Sequence, residues 1–291
     1  MQRSSFVSAL TAAVVLPNVP RADAASIAAS GRLAALETHA GGRLGVHALE
    51  TTGRKTLGHR AGERFPMCST FKFLLTAAVL ARADRGEEHL GRPISYGKRD
   101  LLAYAPITTA HVAQGHMTVE ALCAATVSYS DNTAADLLLG TIGGPAGVTR
   151  FARTIGDGVT RLDRTEPTLN TAIPGDPRDT TMPASATADL ERVLLGNALS
   201  HASRARLEGW MTDCRTGVDC IRAGIPAGWR VGDKTGSGDN NTRNDIAILR
   251  PPAGAPILVA AYLTGARVSA ADRDAALAEV GRIVLSSLAG A

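Results

Sequence analysis

The sequence predicts an α/β domain assembled from both chain ends, with an all-α domain inserted between them. Three observations carry this. A hairpin pattern fills residues 43–60, the region from Ser69 to about Asp213 is helix-periodic, and from Trp229 the pattern turns to short apolar strands. Hairpin and terminal strands together make one antiparallel five-stranded sheet flanked by terminal helices. The bounds that follow are 25–60 and 215–291 for the α/β domain and 61–214 for the all-helical one, with 1–24 preceding both.

Taken in order, the first residues read as a secretory signal. Arg3 supplies a positive start, Phe6 to Val19 is mostly apolar, and Ala22-Asp23-Ala24 fits a small-residue cleavage site. Export to the periplasm by the general secretory route is expected, since no twin arginine is present. No cysteine marks the cleavage site for lipid attachment, so no stable membrane anchor is expected. Ser26 to His39 carries Ile27, Leu33 and Leu36 at helical spacing and ends at Gly41-Gly42. Arg43 to Glu50 alternates, Thr52-Gly53-Arg54 turns, and Lys55 to Arg60 returns.

From Ser69 the chain is apolar nearly all round through Ala81, the mark of a buried helix. Further helices are expected at Thr118–Thr126, Thr133–Leu139, Val148–Ile155, Ala186–Leu195 and Ser203–Met211. Strands follow at Trp229–Lys234, Asp245–Arg250 and Ile257–Leu263, and an amphipathic helix at Ala270–Leu288 closes the fold.

Composition excludes several functions. A net charge of +4, 4% aromatic residues and scattered arginines do not make a nucleic-acid surface. No later stretch reaches the ~18–20 apolar residues of a membrane span. Cys68, Cys123, Cys214 and Cys220 form no CxxC, and the histidines form no HExxH, so no metal and no cofactor are implied. Cys214 and Cys220 are close enough in sequence to close a small loop, whereas Cys68 and Cys123 read as buried thiols.

The chemistry begins at Ser69. A serine at the mouth of a buried helix sits among free backbone N–H groups, and Lys72 follows on the same helical face. Burial lowers the pKa of such a lysine, which then accepts the serine proton. A bare S-x-x-K is more often a cap and a snorkelling lysine, and it arises by chance roughly once in such a chain. It recurs here as Ser95-Tyr96-Gly97-Lys98, with no apolar helix behind it, so that copy is the decoy. Lysine is also scarce: only Lys55, Lys72, Lys98 and Lys234 stand among 31 basic residues, and arginine cannot relay a proton.

Other groups join it. Ser130-Asp131-Asn132 is in isolation a helix cap; as a site it offers Ser130 as a proton relay and Asn132 as an amide-recognition group. Lys234-Thr235-Gly236 leaves a strand and leads to Ser237. Lys234 and Thr235 suit a substrate carboxylate, Arg243 reinforces them, and the N–H groups of Ser69 and Ser237 suit an oxyanion. Between these lies a long loop from Arg161 to Asp179. Its charges fit a solvated face equally well, but Glu166 and Asn170 can hold one water, Arg164 can pair with Asp179, and Glu166-Pro167 can be cis.

S-x-x-K, S-D-N, E-x-x-L-N and K-T-G, in this order behind a leader, resemble the class A β-lactamases over nearly the whole mature chain. The resemblance implies the β-lactamase and penicillin-binding transpeptidase fold with its site between the domains, and β-lactam antibiotics as substrates. It implies that Ser69 attacks the lactam carbonyl, that Lys72 or Glu166 takes its proton, and that Ser130 protonates the departing nitrogen. Glu166 with Asn170 then activates the deacylating water. Asn132 binds the acylamide side chain, Lys234, Thr235, Gly236, Ser237 and Arg243 hold the rest of the substrate, and Tyr104 matches a cleft-wall aromatic.

Two departures from the pattern matter. Some carbapenem-hydrolysing relatives bridge the residue before the nucleophile to a position beyond K-T-G, and here Cys68 faces Gly238 in that comparison. Others bridge the position of Cys123 to the nucleophile helix, where this chain has Thr76. Neither bridge is implied. A penicillin-binding peptidase shares the Ser, Lys and K-T-G chemistry, but Glu166 with Asn170 and the lack of a membrane anchor argue against it; a non-hydrolytic antibiotic sensor would need a membrane span or a signalling partner, and neither is visible in the sequence. A monomer is expected, because no heptad seam is present.

Overall fold

The computed structural model describes residues 24–289; the leader reading lies outside the described residues apart from Ala24. Helix α1 (Ala24–Ala40) ends at Gly41, whose φ of 69° suits a residue without a Cβ. The hairpin β1 (Arg43–Glu50) and β2 (Thr56–His59) follows, then β3 (Phe65–Pro66), a 3-10 turn at Cys68–Thr70 and helix α2 (Phe71–Asp84). Next come β4 (Pro93–Ser95), α3 (Pro106–His111), β5 (His116–Thr118), α4 (Val119–Ser128), α5 (Asn132–Thr141) and α6 (Pro145–Thr154). After the long loop stand β6 (Thr180–Thr181), α7 (Pro183–Leu194) and α8 (His201–Thr212). Strands β7 (Arg230–Gly238), β8 (Thr242–Arg250), β9 (Ile257–Thr264) and helix α9 (Ala270–Leu288) complete the chain.

Local chemistry accounts for several boundaries. Thr118, Ser200 and Ser269 accept from the first-turn N–H groups of α4, α8 and α9, while proline opens α3, α6 and α7, where no N–H is needed.

The five-stranded sheet runs β2-β1-β9-β8-β7, antiparallel throughout, so strands from both chain ends do share one sheet. All eight residues of β9 are buried, and period-two alternation sends them to opposite faces. Leu258, Ala260 and Tyr262 join the core around α2, with Ile246 and Ile248 of β8. Ile257, Val259, Ala261 and Leu263 join a second core with α1 and α9. Every residue from Phe71 to Ala81 is buried, so α2 is a central helix, and each large apolar side chain there contributes about 2 kcal/mol.

Two expectations need correction. Ser69 stands near the N-terminus of α2 as expected, but the α-helix itself begins at Phe71, and Ser69 sits in the 3-10 turn that runs directly into it. The 61–214 stretch is not wholly helical either: β3 pairs with β6 and β4 with β5, in ladders of two and three residues. Ladders that short carry too little periodicity to be read from sequence.

Candidate active site

The turn bearing Ser69 is held from three sides. Asp179 O accepts from Met67 N at 2.9 Å, and Asn244 Nδ2 donates to Pro66 O (2.9 Å) and Met67 O (3.1 Å). Gly236 of β7 passes so close that a Cβ there would lie 2.7 Å from Met67 O. Cys68 takes a φ of 46°, a conformation unfavourable for a residue with a Cβ and one that sites often store. Ser130, at φ 58°, does the same.

Beneath the turn three groups converge. Ser69 Oγ donates to Glu166 Oε1 at 3.4 Å, and Lys72 Nζ lies 3.0 Å from the same oxygen. The ammonium also reaches Ser130 O (2.8 Å) and Asn132 Oδ1 (2.6 Å). The helical spacing therefore brings Lys72 beside the serine, but the hydroxyl's hydrogen bond goes to Glu166. Burial lowers the Lys72 pKa, and the charge of Glu166 works against that shift. Ser130 Oγ stands between two lysines, 3.0 Å from Lys234 Nζ and 3.4 Å from Lys72 Nζ. Lys234 is fully buried, and loss of hydration brings its amine down to about 8.

Asp131 fills the middle of its motif structurally. Its buried carboxylate accepts from Ala134 N, Ile107 N and Thr108 N, each at 2.9 Å, which caps α5 and fixes the start of α3. Asn132 N donates to Tyr104 O at 2.9 Å, so the aromatic wall is tied to the same segment.

Glu166 precedes a cis proline, and Asn170 Nδ2 donates to its Oε2. The loop carrying both is fastened by Arg164 Nε to Asp179 Oδ2 at 2.6 Å, and Asp179 also accepts from Asp163 N and Arg164 N. Behind Glu166 lies a residue the sequence reading missed. Asp136 Oδ1 accepts from Glu166 N at 3.1 Å, and burial, aided by the Glu166 charge, pushes its carboxyl up to about 6. Its position one turn after Asn132 on α5 was the available signal.

These side chains face a cleft of about 290 Å³, lined by Ser69, Ser130, Asn132, Asn170, Thr235 and Arg243, among others. Tyr104 and Ser237 also line it, Tyr104 being 51% exposed. β7 is the last strand of the sheet order, which leaves one edge unpaired within the sheet. Across the β7–β8 ladder, Arg243 Nη1 donates to Ser237 Oγ at 2.9 Å. Its other donors reach Asp274 Oδ1, Thr216 O and Cys220 Sγ. Thr216, Cys220 and Asp274 were not anticipated, and no sequence pattern marks them.

The described cysteines are all free thiols. Cys214 and Cys220 do not close a loop: Cys214 faces Thr216 at 3.4 Å, whereas Cys220 turns toward Arg243 and Asp274.

A family model described as "Beta-lactamase enzyme family" matches residues 28–288. Beta-lactamase L2 of Stenotrophomonas maltophilia is 50% identical over 260 residues, covering 89% of this chain and 86% of its own. Beta-lactamase CTX-M-8 of Citrobacter amalonaticus is 48% identical over 253 residues, covering 87% of each. Among solved structures, the last common ancestor of Gram-negative bacteria class A β-lactamase (GNCA4) superposes with a TM-score of 0.88 at 59% identity, over 89% of this chain and 98% of that one. A putative class A β-lactamase, PenP from Rhodopseudomonas palustris, gives 0.87 at 52% identity, over 88% and 98%.

Proposed function

The chain belongs to the class A β-lactamase family, and from that membership we propose the role of each residue in the cleft. The reaction is hydrolysis of the β-lactam amide of penicillins and cephalosporins through a serine acyl-enzyme, which confers resistance. Ser69 Oγ attacks the lactam carbonyl carbon, and its proton passes into the Lys72–Glu166 pair. Backbone N–H groups of Ser69 and Ser237 receive the oxyanion. As the C–N bond breaks, Ser130 gives its proton to the leaving nitrogen and is reprotonated from the lysines on either side. Glu166, with Asn170 orienting the water, then takes a proton from it as the water oxygen attacks the ester, and the proton passes back to Ser69 Oγ when the acyl C–O bond breaks.

Asn132 and Tyr104 receive the acylamide side chain of the substrate. Lys234, Thr235, Gly236 and Arg243 hold the end that carries its carboxylate. The observation that carries the reading is the shared oxygen: Ser69 and Lys72 both meet Glu166 Oε1, at 3.4 and 3.0 Å. Residues 25–60 with 215–291, and 61–214, are the two domains on either side of this cleft. The mature protein works as a periplasmic monomer without a membrane anchor; no helix among the described residues is long and apolar enough to cross a membrane.

The test is hydrolysis of a chromogenic cephalosporin by the mature protein, with intact-mass spectrometry of the same mixture. Turnover that persists with a metal chelator supports the reading. A stoichiometric adduct without turnover would move the protein to the penicillin-binding or sensor class.

A further inference from the structure

A second cavity, roomier than the cleft, lies among the described residues. A groove of about 620 Å³ lies on the other side of the Glu166 loop, within the size range of sites for drug-sized ligands. Its accessible apolar wall is Ile173, 51% exposed, with Pro174 and Pro177, and Leu169 and Ala172 lie buried behind it. The rest is polar and includes Arg43, Arg64, Arg164 and Arg178 beside the carboxylate of Asp176.

Three of those guanidiniums are answered by carboxylates. Arg43 pairs with Glu63 at 2.7 Å, Arg164 with Asp179 at 2.6 Å, and Arg178 with Asp176 at 2.7 Å. Arg64 differs. Among the described residues its partners are neutral oxygens, Val159 O and Thr180 Oγ1, both 3.1 Å from Nη1. The guanidinium of Arg64, exposed at the groove, thus has no paired carboxylate among the described residues. We propose that this groove binds an organic monoanion, with its apolar body on Ile173 and Pro174 and its anionic group on Arg64.

Occupancy of the groove acts on the chemistry through a single turn. Leu169 lines the groove, and the next residue, Asn170, lines the catalytic cleft and donates to Glu166 Oε2. Asn170 O also accepts from Asp239 N at 2.8 Å, and the neighbouring Asn240 lines the groove. A ligand seated against Ile173 and Asn240 therefore bears on both ends of the segment that orients the deacylating group. This second step rests on the role given to Glu166, but binding itself does not.

The probe is naphthalene-2-sulfonate, with inorganic sulfate as the control, titrated into the mature protein and followed by backbone amide NMR. Saturable shifts at Ile173, Gly175 and Gly265 are expected with the sulfonate. They should be about tenfold weaker in affinity in Arg64→Gln, which retains turnover, and weaker again in Ile173→Asp. Shifts confined to Ser130 and Ser237 would place the anion in the cleft and overturn the proposal, as would equal binding by Arg64→Gln or by sulfate alone. Deacylation of a slow substrate should change on saturation of the groove; an unchanged rate would overturn the coupling and leave the binding site. Loss of β-lactam turnover in the unmodified protein would count against the proposed function, because groove binding is read from the amides independently.

Discussion

Lys72 Nζ lies 3.0 Å from Oε1 of Glu166, and neither side chain has any exposed surface. A buried pair of this kind is held in balance: burial drives the lysine toward neutrality while the carboxylate keeps it charged. Glu166→Gln removes the opposing charge, so the Lys72 pKa should fall further and the neutral amine should persist to lower pH. Acylation by this variant is expected to continue, with its acid limb displaced to lower pH than in the parent. Stopped-flow acylation across pH checks this; an undisplaced limb would mean Lys72 is not the group titrating.

Lys234 gives a second pH dependence. Its amine, brought down to about 8 by burial, is charged below that pH and neutral above it. In the role proposed for Lys234, the charged form is the one that attracts a substrate carboxylate. KM for carboxylate-bearing substrates should therefore rise about tenfold per pH unit above roughly pH 8, with a smaller change in kcat. A KM that stays flat through pH 10 would contradict the role given to Lys234.

Asp189 carries a stability cost. Burial, and then the neighbouring Asp157, push its carboxyl up to about 9, and its Oδ2 has no partner among the described residues. The folded state therefore binds a proton that the unfolded chain releases near pH 4, so stability falls as pH rises from about 4 to 9. Asp189→Asn mimics the protonated acid, and it should raise stability at pH 8 by roughly 1–3 kcal/mol, with little gain at pH 4. Thermal melts at both pH values decide; an equal gain at both would refute the linkage.

Gly238 is where sheet and loop meet most closely. A Cβ there would stand 2.5 Å from Asn170 O and 2.6 Å from Cys68 Sγ, so Gly238→Ala must push β7 and the loop apart. The strain should cost about 1–3 kcal/mol and slow deacylation more than acylation, since Asn170 is the residue displaced. Parent-like melting with parent-like single-turnover rates would show that the contact is slack.

What could be read in the sequence was what clusters locally. Ser69 with Lys72, Ser130 with Asn132, Glu166 with Asn170 and Lys234 with Thr235 each sit within a few residues, so chemistry and spacing point to one another. The strands at the end of the chain were legible because β8 and β9 carry continuous apolar runs bounded by turn residues. Asp274, 31 positions from the Arg243 it holds, gave no such sign. Asp136 was hidden differently: a carboxylate one turn along an amphipathic helix looks like surface until the loop bearing Glu166 is folded over it. The helix was read as running from Ser69 because a 3-10 turn leading straight into α2 leaves the apolar pattern unbroken.

The central claim is that Glu166 deacylates the enzyme that Ser69 acylates. The direct measurement is intact-mass spectrometry of Glu166→Ala mixed with a chromogenic cephalosporin, beside Ser69→Ala. Glu166→Ala is expected to accumulate one covalent adduct per chain, with turnover reduced about 10²–10⁴-fold, and Ser69→Ala to form none. Parent-like turnover by Glu166→Ala, with no adduct building up, would contradict the account.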